Sequence, residues 1–223
     1  MSHVNKTLAT TAVARTEAWW QQRHQQKLAE KRALDNDVDL LFLGDSITHS
    51  WEDTGLAVWN KYYANLKPFN LGYSGDRTEH LLWRLQNGEI DGLSPKLIVL
   101  LIGTNNAGHR VESAEDTAAG VEAILQTLRS SLAASKILLL ATFPRSKSLK
   151  APMRKRVNAA NKLCERLADQ QYIFWLDIGQ HFLTDDGTVL DTVMPDFLHL
   201  APAQYQVWAE AMQQQIHDLM EYK

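Results

Sequence analysis

Short apolar runs alternate with longer amphipathic stretches along most of the chain. Five runs have the length of a buried strand, at residues 40–43, 68–71, 97–102, 137–141 and 172–176. Stretches with a helical period lie at about residues 16–33, 54–64, 77–87, 114–132, 151–169 and 201–221. Continuously apolar strands separated by amphipathic helices are typical of a parallel sheet covered on both faces. We therefore predict an α/β fold with a five-stranded parallel sheet.

The domain organisation follows from the length of 223 residues, which suits one large domain without repeats or linkers. We expect residues 36–223 to form this domain and residues 1–35, a polar segment and a helix, to pack on it. Trp19 and Trp20 are adjacent in that helix, so both cannot point at one narrow stripe. Packing is the favoured interpretation, and the alternative is that one of them covers the site or binds a partner.

Composition excludes several classes of protein. Hydrophobic residues make up 45% and charged residues 22%, as in a globular protein with a sizeable core. The formal net charge is −3 and no Lys/Arg cluster is present, which argues against a nucleic-acid partner. The longest apolar runs are too short to cross a bilayer, so we expect no stable membrane insertion. Cys164, the single cysteine, excludes an internal disulfide and is interpreted as a buried structural thiol.

The first fifteen residues lack a basic start followed by an apolar segment, so no secretory signal is visible. We therefore expect a cytoplasmic protein. A chain from which a signal peptide had been removed would look the same, and would be secreted or periplasmic.

Polar clusters follow the first three predicted strands, at the points where those strands end. They are Gly44-Asp45-Ser46, Ser74-Gly75-Asp76-Arg77 and Thr104-Asn105-Asn106. In an open parallel sheet, ligands bind at the carboxyl ends of the strands, near the point where strand order reverses. The clusters therefore indicate a functional site at this edge of the sheet.

Three residues could supply nucleophilic catalysis, which needs a serine, a base and a carboxylate that orients the base. Ser46 stands at the first turn after a buried strand, where a helix N-cap is the alternative interpretation. Asp196 and His199 are three residues apart, close enough for one turn of chain to join carboxylate and imidazole. A loop histidine and a helix-capping aspartate are the alternative, and on these residues alone both interpretations stay open.

Two further residues could donate hydrogen bonds to a developing oxyanion. Gly75 would let its backbone N–H approach a substrate oxygen, although a plain turn glycine has the same signature. Asn105 could offer its side-chain amide, although an Asx turn is the alternative. For each residue taken alone we favour the alternative, a plain turn glycine at Gly75 and an Asx turn at Asn105.

Taken together and in order, four blocks of the chain resemble those of the SGNH (GDSL-type) hydrolase family. The blocks are Gly44-Asp45-Ser46-Ile47, Gly75, Gly103-Thr104-Asn105-Asn106 and Asp196-Phe197-Leu198-His199. Ile47 replaces the leucine of the GDSL name, and Asn106 stands where many members have aspartate. Other segments resemble the catalytic subunits of brain-type platelet-activating-factor acetylhydrolase and their bacterial esterase relatives. These segments are Asn70-Leu71-Gly72, residues 82–89 and residues 196–200.

This resemblance implies a role for each residue of the blocks. Ser46 is the expected nucleophile, His199 the base and Asp196 its orienting group. The backbone N–H groups of Ser46 and Gly75 and the Asn105 amide are the expected oxyanion hole. The resemblance also implies a three-layer α/β/α flavodoxin-like fold and no metal or organic cofactor.

Four neighbours of these blocks are candidates for substrate binding: Asp45, His49, Trp51 and Arg77. For Asp45 and Arg77 we favour a bracing role, and His49 is expected at the rim rather than in the proton relay. Trp51 is expected to border the pocket. No histidine in the chain has the spacing of a metal ligand, so no metal site is predicted.

The function that these inferences favour is hydrolysis of a short-chain ester, most simply an acetyl ester. The substrate is expected to be a small-molecule ester, with an acetylated sugar preferred slightly over an acetylated lipid. An acetylhydrolase acting on lipids, a lysophospholipase or a thioesterase for longer acyl chains is the alternative with the same residues. A non-catalytic binding or scaffold protein is the alternative of another class, and a homodimer stays open.

Overall fold

The sheet has five strands, all parallel, in a computed structural model that describes residues 7–221. The strands are β1 Leu40–Gly44, β2 Pro68–Gly72, β3 Leu97–Leu101, β4 Lys136–Leu140 and β5 Ile173–Leu176. Their order in the sheet is β2-β1-β3-β4-β5. The predicted five-stranded α/β fold is confirmed, and each strand begins and ends within one or two residues of the predicted run.

Helices connect the strands and cover the sheet. They are α1 Ala18–Ala33, α2 Ser46–His49, α3 Leu56–Tyr62, α4 Thr78–Gln86, α5 Thr104–His109, α6 Ala114–Ser131, α7 Pro152–Cys164 and α8 Pro202–Glu221. The six longer helices fall in the predicted segments. The helices α2 and α5 have four and six residues, too few to display a helical period, and the hydrophobic pattern did not predict them.

Two apolar clusters lie on opposite faces of the sheet, because successive strand residues point to opposite sides. Leu41 and Leu43 belong to the cluster that includes residues of α4 and α6. Leu40 and Phe42 belong to the other cluster, which includes residues of α8. Cys164 lies in the first cluster, and burial raises the pKa of its thiol to about 12, as expected for a structural thiol.

The order of the strands reverses at β1, which has β2 on one side and β3 on the other. Gly44 at the end of β1 is level with Gly72 of β2 and Leu101 of β3. The segments that follow these three strands therefore leave the sheet side by side. The space between these segments, at the carboxyl ends of the strands, is where open α/β sheets bind their ligands.

Helix α2 sits directly against the end of β2, and Gly72 makes this close approach possible. A Cβ atom on Gly72 would lie 2.6 Å from the carbonyl carbon of Thr48 and closer still to the backbone nitrogen of His49. Both obstructing atoms are backbone atoms, so no side-chain rotation could relieve the clash.

We expect Gly72→Ala to lower the free energy of unfolding by about 1–3 kcal/mol or more, because overpacking here must displace backbone. Urea denaturation measures this loss. The displaced helix carries Ser46, so ester hydrolysis by the folded fraction should fall as well. Unchanged stability and activity would contradict the close approach of α2 to β2.

Candidate active site

Ser46 is the first residue of α2, directly after β1. The preceding residue, Asp45, is the N-cap of the helix, and its carboxylate accepts a hydrogen bond from Ile47 N at 3.0 Å. Asp45 therefore performs the capping, and the hydroxyl of Ser46 remains available for other contacts. Ser46 Oγ lies 2.9 Å from His199 Nε2, a residue 153 positions further along the chain.

The segment 196–199, before α8, holds its aspartate and histidine in a self-contained turn. Asp196 Oδ2 lies 2.6 Å from His199 Nδ1, and Oδ1 accepts from the backbone nitrogens of Leu198 and His199 at 3.0 and 2.7 Å. Phe197 between them has φ of +59°, a left-handed conformation that closes the turn. Burial alone would raise the pKa of Asp196, but the hydrogen bonds from His199 hold it below its usual value.

The structure thus brings Ser46, His199 and Asp196 into one hydrogen-bonded row. The side chains of His199 and Asp196 are 44% and 54% exposed. The row lies at the surface, where a substrate can reach it without a large opening motion. Chemically, this arrangement can transfer the serine proton to Nε2 while the carboxylate holds Nδ1–H.

The two other predicted oxyanion donors lie next to each other. Gly75 is in the β2–α4 loop, residues 73–77, with φ of +77°, a conformation that favours glycine. Asn105 is buried near the start of α5, and its Nδ2 donates to the backbone oxygen of Asp76 at 2.9 Å. Because an amide nitrogen has two hydrogens, Asn105 keeps one for a substrate oxygen.

Asn106, which replaces the aspartate of many family members, uses both sides of its amide. Its Oδ1 accepts from Thr78 N at 3.1 Å, and its Nδ2 donates to Thr78 Oγ1 at 2.9 Å and Glu112 Oε2 at 2.6 Å. A carboxylate could not make the last two contacts as a donor. The departure from the usual motif is therefore matched by its partners in this chain.

The structure buries two of the four candidate side chains, so a position at the pocket is wrong for Trp51, whereas the position of Asp45 agrees with the bracing role favoured from the sequence. Trp51 is fully buried and packs against Phe42, Tyr205 and Trp208 in the core. Asp45 is 1% exposed, and burial raises the pKa of its carboxyl to about 7. An aromatic residue after a catalytic motif gives no sequence signal that separates a core position from a rim position.

The remaining two candidates are partly exposed: His49 lies beside the β2–α4 loop, and Arg77 is the last residue of that loop. His49 Nδ1 is 3.0 Å from Ser74 Oγ, and burial, with the nearby Arg23 charge, lowers the pKa of the His49 imidazole to about 4. Arg77 Nε donates to Glu79 Oε1 at 2.6 Å. Contact of His49 or Arg77 with substrate stays a prediction.

Sequence reasoning missed a buried charged network behind the β2–α4 loop. Arg84 is fully buried and contacts the carboxylates of Asp76, at 2.9 Å, and Glu89. Glu89 also contacts His24 Nδ1 at 3.0 Å and the hydroxyl of Tyr73 at 2.5 Å. The charges are scattered over three segments, so the linear sequence offers no pattern that would reveal their association.

A parallel sheet with a serine, histidine and aspartate in contact at its carboxyl edge is the arrangement of serine hydrolases. Comparison with known proteins agrees with this class. The model of the GDSL-like Lipase/Acylhydrolase family matches residues 42–207. The chain belongs to this family, the SGNH hydrolases, and is a carboxylic ester hydrolase.

Relatives span most of the chain. Subunit alpha2 of rat platelet-activating factor acetylhydrolase IB is 33% identical over 206 residues, covering 91% of this chain and 85% of its own. A GDSL-like lipase structure from Bacteroides thetaiotaomicron has a TM-score of 0.73 at 18% identity, covering 87% of this chain and 97% of its own. A carbohydrate acetylesterase from Sinorhizobium meliloti has a TM-score of 0.65 at 15% identity, covering 82% and 100%. The two structures show the shared fold.

The buried carboxyl of Asp45 should make stability depend on pH. Its pKa is about 7 in the folded protein against an ordinary 3.8, so the folded state keeps this proton to higher pH than the unfolded state. The Asp45 contribution to the free energy of unfolding therefore falls as pH rises from about 4 to about 7.

Asp45→Asn should remove this fall while keeping an oxygen that accepts from Ile47 N. The free energy of unfolding of the variant minus that of the parent protein should therefore increase as pH rises from 4 to 7.5, by a few kcal/mol in order of magnitude. Urea denaturation across this range measures the difference, with the exposed Asp185→Asn as matched control. A difference that does not change with pH would contradict a protonated Asp45.

Proposed function

We propose that the protein hydrolyses short-chain esters, most simply acetyl esters of carbohydrates, through an acyl-enzyme on Ser46. The observation that carries this proposal is the 2.9 Å contact between Ser46 Oγ and His199 Nε2, continued to Asp196 at the open edge of the sheet. A serine hydroxyl in contact with an oriented imidazole is an activated nucleophile.

The reaction begins when Ser46 Oγ attacks the ester carbonyl carbon and its proton passes to His199 Nε2. The carbonyl oxygen becomes an oxyanion, which accepts hydrogen bonds from the backbone N–H groups of Ser46 and Gly75 and from the Asn105 amide. His199 then gives its proton to the leaving alcohol as the carbon–oxygen bond breaks, which leaves the acyl group on Ser46. A water molecule repeats the sequence, releasing the acid and regenerating the serine.

The acetyl group is supported by what two relatives have in common. The names of the platelet-activating factor acetylhydrolase subunits and of the Sinorhizobium meliloti carbohydrate acetylesterase give different substrates. Both names give an acetyl group as the group removed. Because the side chains of His199 and Asp196 are partly exposed, an alcohol bound beside them would be in contact with solvent. A hydrophilic alcohol such as a sugar suits these surroundings.

A lipid acetylhydrolase is the second candidate, and the 33% identity with the rat acetylhydrolase subunit favours it. Within residues 7–221, no helix combines the length and apolar character needed to span a bilayer. A lipid substrate would therefore have to reach the open edge of the sheet without a membrane-spanning anchor in that part of the chain.

Ser46→Ala should abolish turnover of p-nitrophenyl acetate, with a loss of kcat of about 10⁴-fold or more, because the nucleophile is removed. The melting temperature should stay close to that of the parent protein. Ser130→Ala, on the exposed face of α6, is the matched control and should keep full activity. Retained hydrolysis in Ser46→Ala would remove Ser46 from the mechanism.

A panel of p-nitrophenyl esters from acetate to octanoate should show the highest kcat/KM for acetate, because the proposed acyl group is small. Released acetate, measured with acetylated sugars and acetylated lipids, then identifies the alcohol. A preference for octanoate would reject the short-acyl proposal, and faster release from lipids would favour the second candidate.

A further inference from the structure

Three side chains from the N-terminal segment 15–23 donate hydrogen bonds to the chain on both sides of Gly75. Arg23 Nε donates to Gly72 O at 3.0 Å, and Arg15 Nη1 donates to Ser74 O at 2.8 Å. Trp20 Nε1 donates to Asp76 Oδ1 at 2.7 Å. The β2–α4 loop is therefore held at Ser74 and Asp76, and the end of β2 before it at Gly72, by a segment that precedes the family match at residue 42.

Asp76 connects the two predicted oxyanion donors outside α2. Its peptide nitrogen is bonded to the carbonyl carbon of Gly75, and its backbone oxygen accepts from Asn105 Nδ2 at 2.9 Å. Its carboxylate is fully buried between Trp20 Nε1 and Arg84 Nε, which lies 2.9 Å from Oδ2. A shift of Asp76 would thus move Gly75, whose own N–H lies one peptide unit earlier, and the Asn105 amide together.

The buried face of α1 is polar, which is unusual for a helix that only packs on a core. Its buried side chains are Trp20, Arg23, His24, Lys27 and Lys31. Hydrogen bonds from such donors to buried carboxylates and carbonyls fix positions more narrowly than apolar contact does. Oxyanion donors are effective only when they are held in place before the reaction.

We propose that Trp20 is a positioning residue, which with Arg15 and Arg23 holds the β2–α4 loop so that Gly75 and Asn105 face the developing oxyanion. This inference rests on the proposed oxyanion role of Gly75 and Asn105. Trp20 itself is fully buried and touches no substrate; it acts through the carboxylate of Asp76. The exposed neighbour Trp19 lies over the guanidinium of Arg15, at 5.2 Å, on the outer side of this contact.

Trp20→Phe tests the proposal, because it removes the donor to Asp76 and keeps one aromatic ring, although it also loses part of the buried ring packing. With p-nitrophenyl acetate, kcat should fall about 10- to 100-fold, as expected for displaced catalytic groups, while KM changes by less than about threefold. The midpoint of the pH profile should stay unchanged, because neither His199 nor Asp196 contacts Trp20.

Lys31→Met is the matched control on the same helix. Lys31 Nζ donates to Gly88 O and Asp91 O at 2.5 and 2.6 Å, away from the β2–α4 loop. This variant should lose thermal stability and keep its kcat. If kcat fell in both variants in proportion to the fall in melting temperature, α1 would have only a structural role. That result would overturn the proposal.

A double-mutant cycle with Asn105→Ala separates this proposal from the proposed function. Asn105→Ala alone should lower kcat about 10²- to 10³-fold. In the Asn105→Ala background, Trp20→Phe should lower kcat much less than it does in the parent protein. The reason is that Trp20 acts partly by positioning the Asn105 amide, which is already absent there. Full activity of Asn105→Ala would refute the oxyanion assignment, whereas full activity of folded Trp20→Phe would refute only the positioning role.

Arg15 provides a second route should Trp20→Phe fail to fold, because its side chain lies nearer the surface. Arg15→Met removes the donor to Ser74 O and should lower kcat with little change in KM. Arg15→Lys keeps a donor and should recover part of the loss. Equal, parent-like kcat values for both Arg15 variants would overturn the proposal.

Discussion

Strand β1 hydrogen-bonds to β2 on one side and to β3 on the other, and this pairing determines where Ser46, Gly75 and Asn105 lie. The chain leaves β1 into α2, β2 into the β2–α4 loop and β3 into α5, all at the carboxyl edge of the sheet. The three segments therefore meet although they are far apart along the chain. Parallel strands with crossover connections always place these exits on one edge.

The site joins elements that are held by different kinds of interaction. The position of helix α2 is determined by steric fit, because Gly72 has no side chain and lets the backbone of α2 pack against β2. The histidine and aspartate sit in a turn that their own hydrogen bonds close. The β2–α4 loop instead depends on buried charges, with Arg84 between Asp76 and Glu89. Burying such ions is costly unless each is paired and hydrogen-bonded, as these are.

Burial explains why Trp51 differs from its predicted role at the pocket and why Asp45 braces α2 instead of contacting substrate. Asp45 and Trp51 flank the catalytic motif in sequence, but the first caps α2 and the second fills the core. Helix α1 shows the opposite case, since four of its five buried side chains are charged or polar and its Trp19 faces solvent. Hydrophobic patterning assumes that apolar residues are the buried ones, and α1 does not follow this assumption.

The sequence by itself determined the fold class, the strands and the longer helices, whereas the roles expected of Ser46, Asp196 and His199 came from the resemblance of four ordered blocks to a known family. Strand-length apolar runs and motif residues are local signals, and they survive in a linear chain. Only the tertiary structure decided that Ser46 meets His199 across 153 positions, and that Arg15, Trp20 and Arg23 hold the loop at Gly75. These contacts join distant segments through single hydrogen bonds, which produce no period or spacing along the chain.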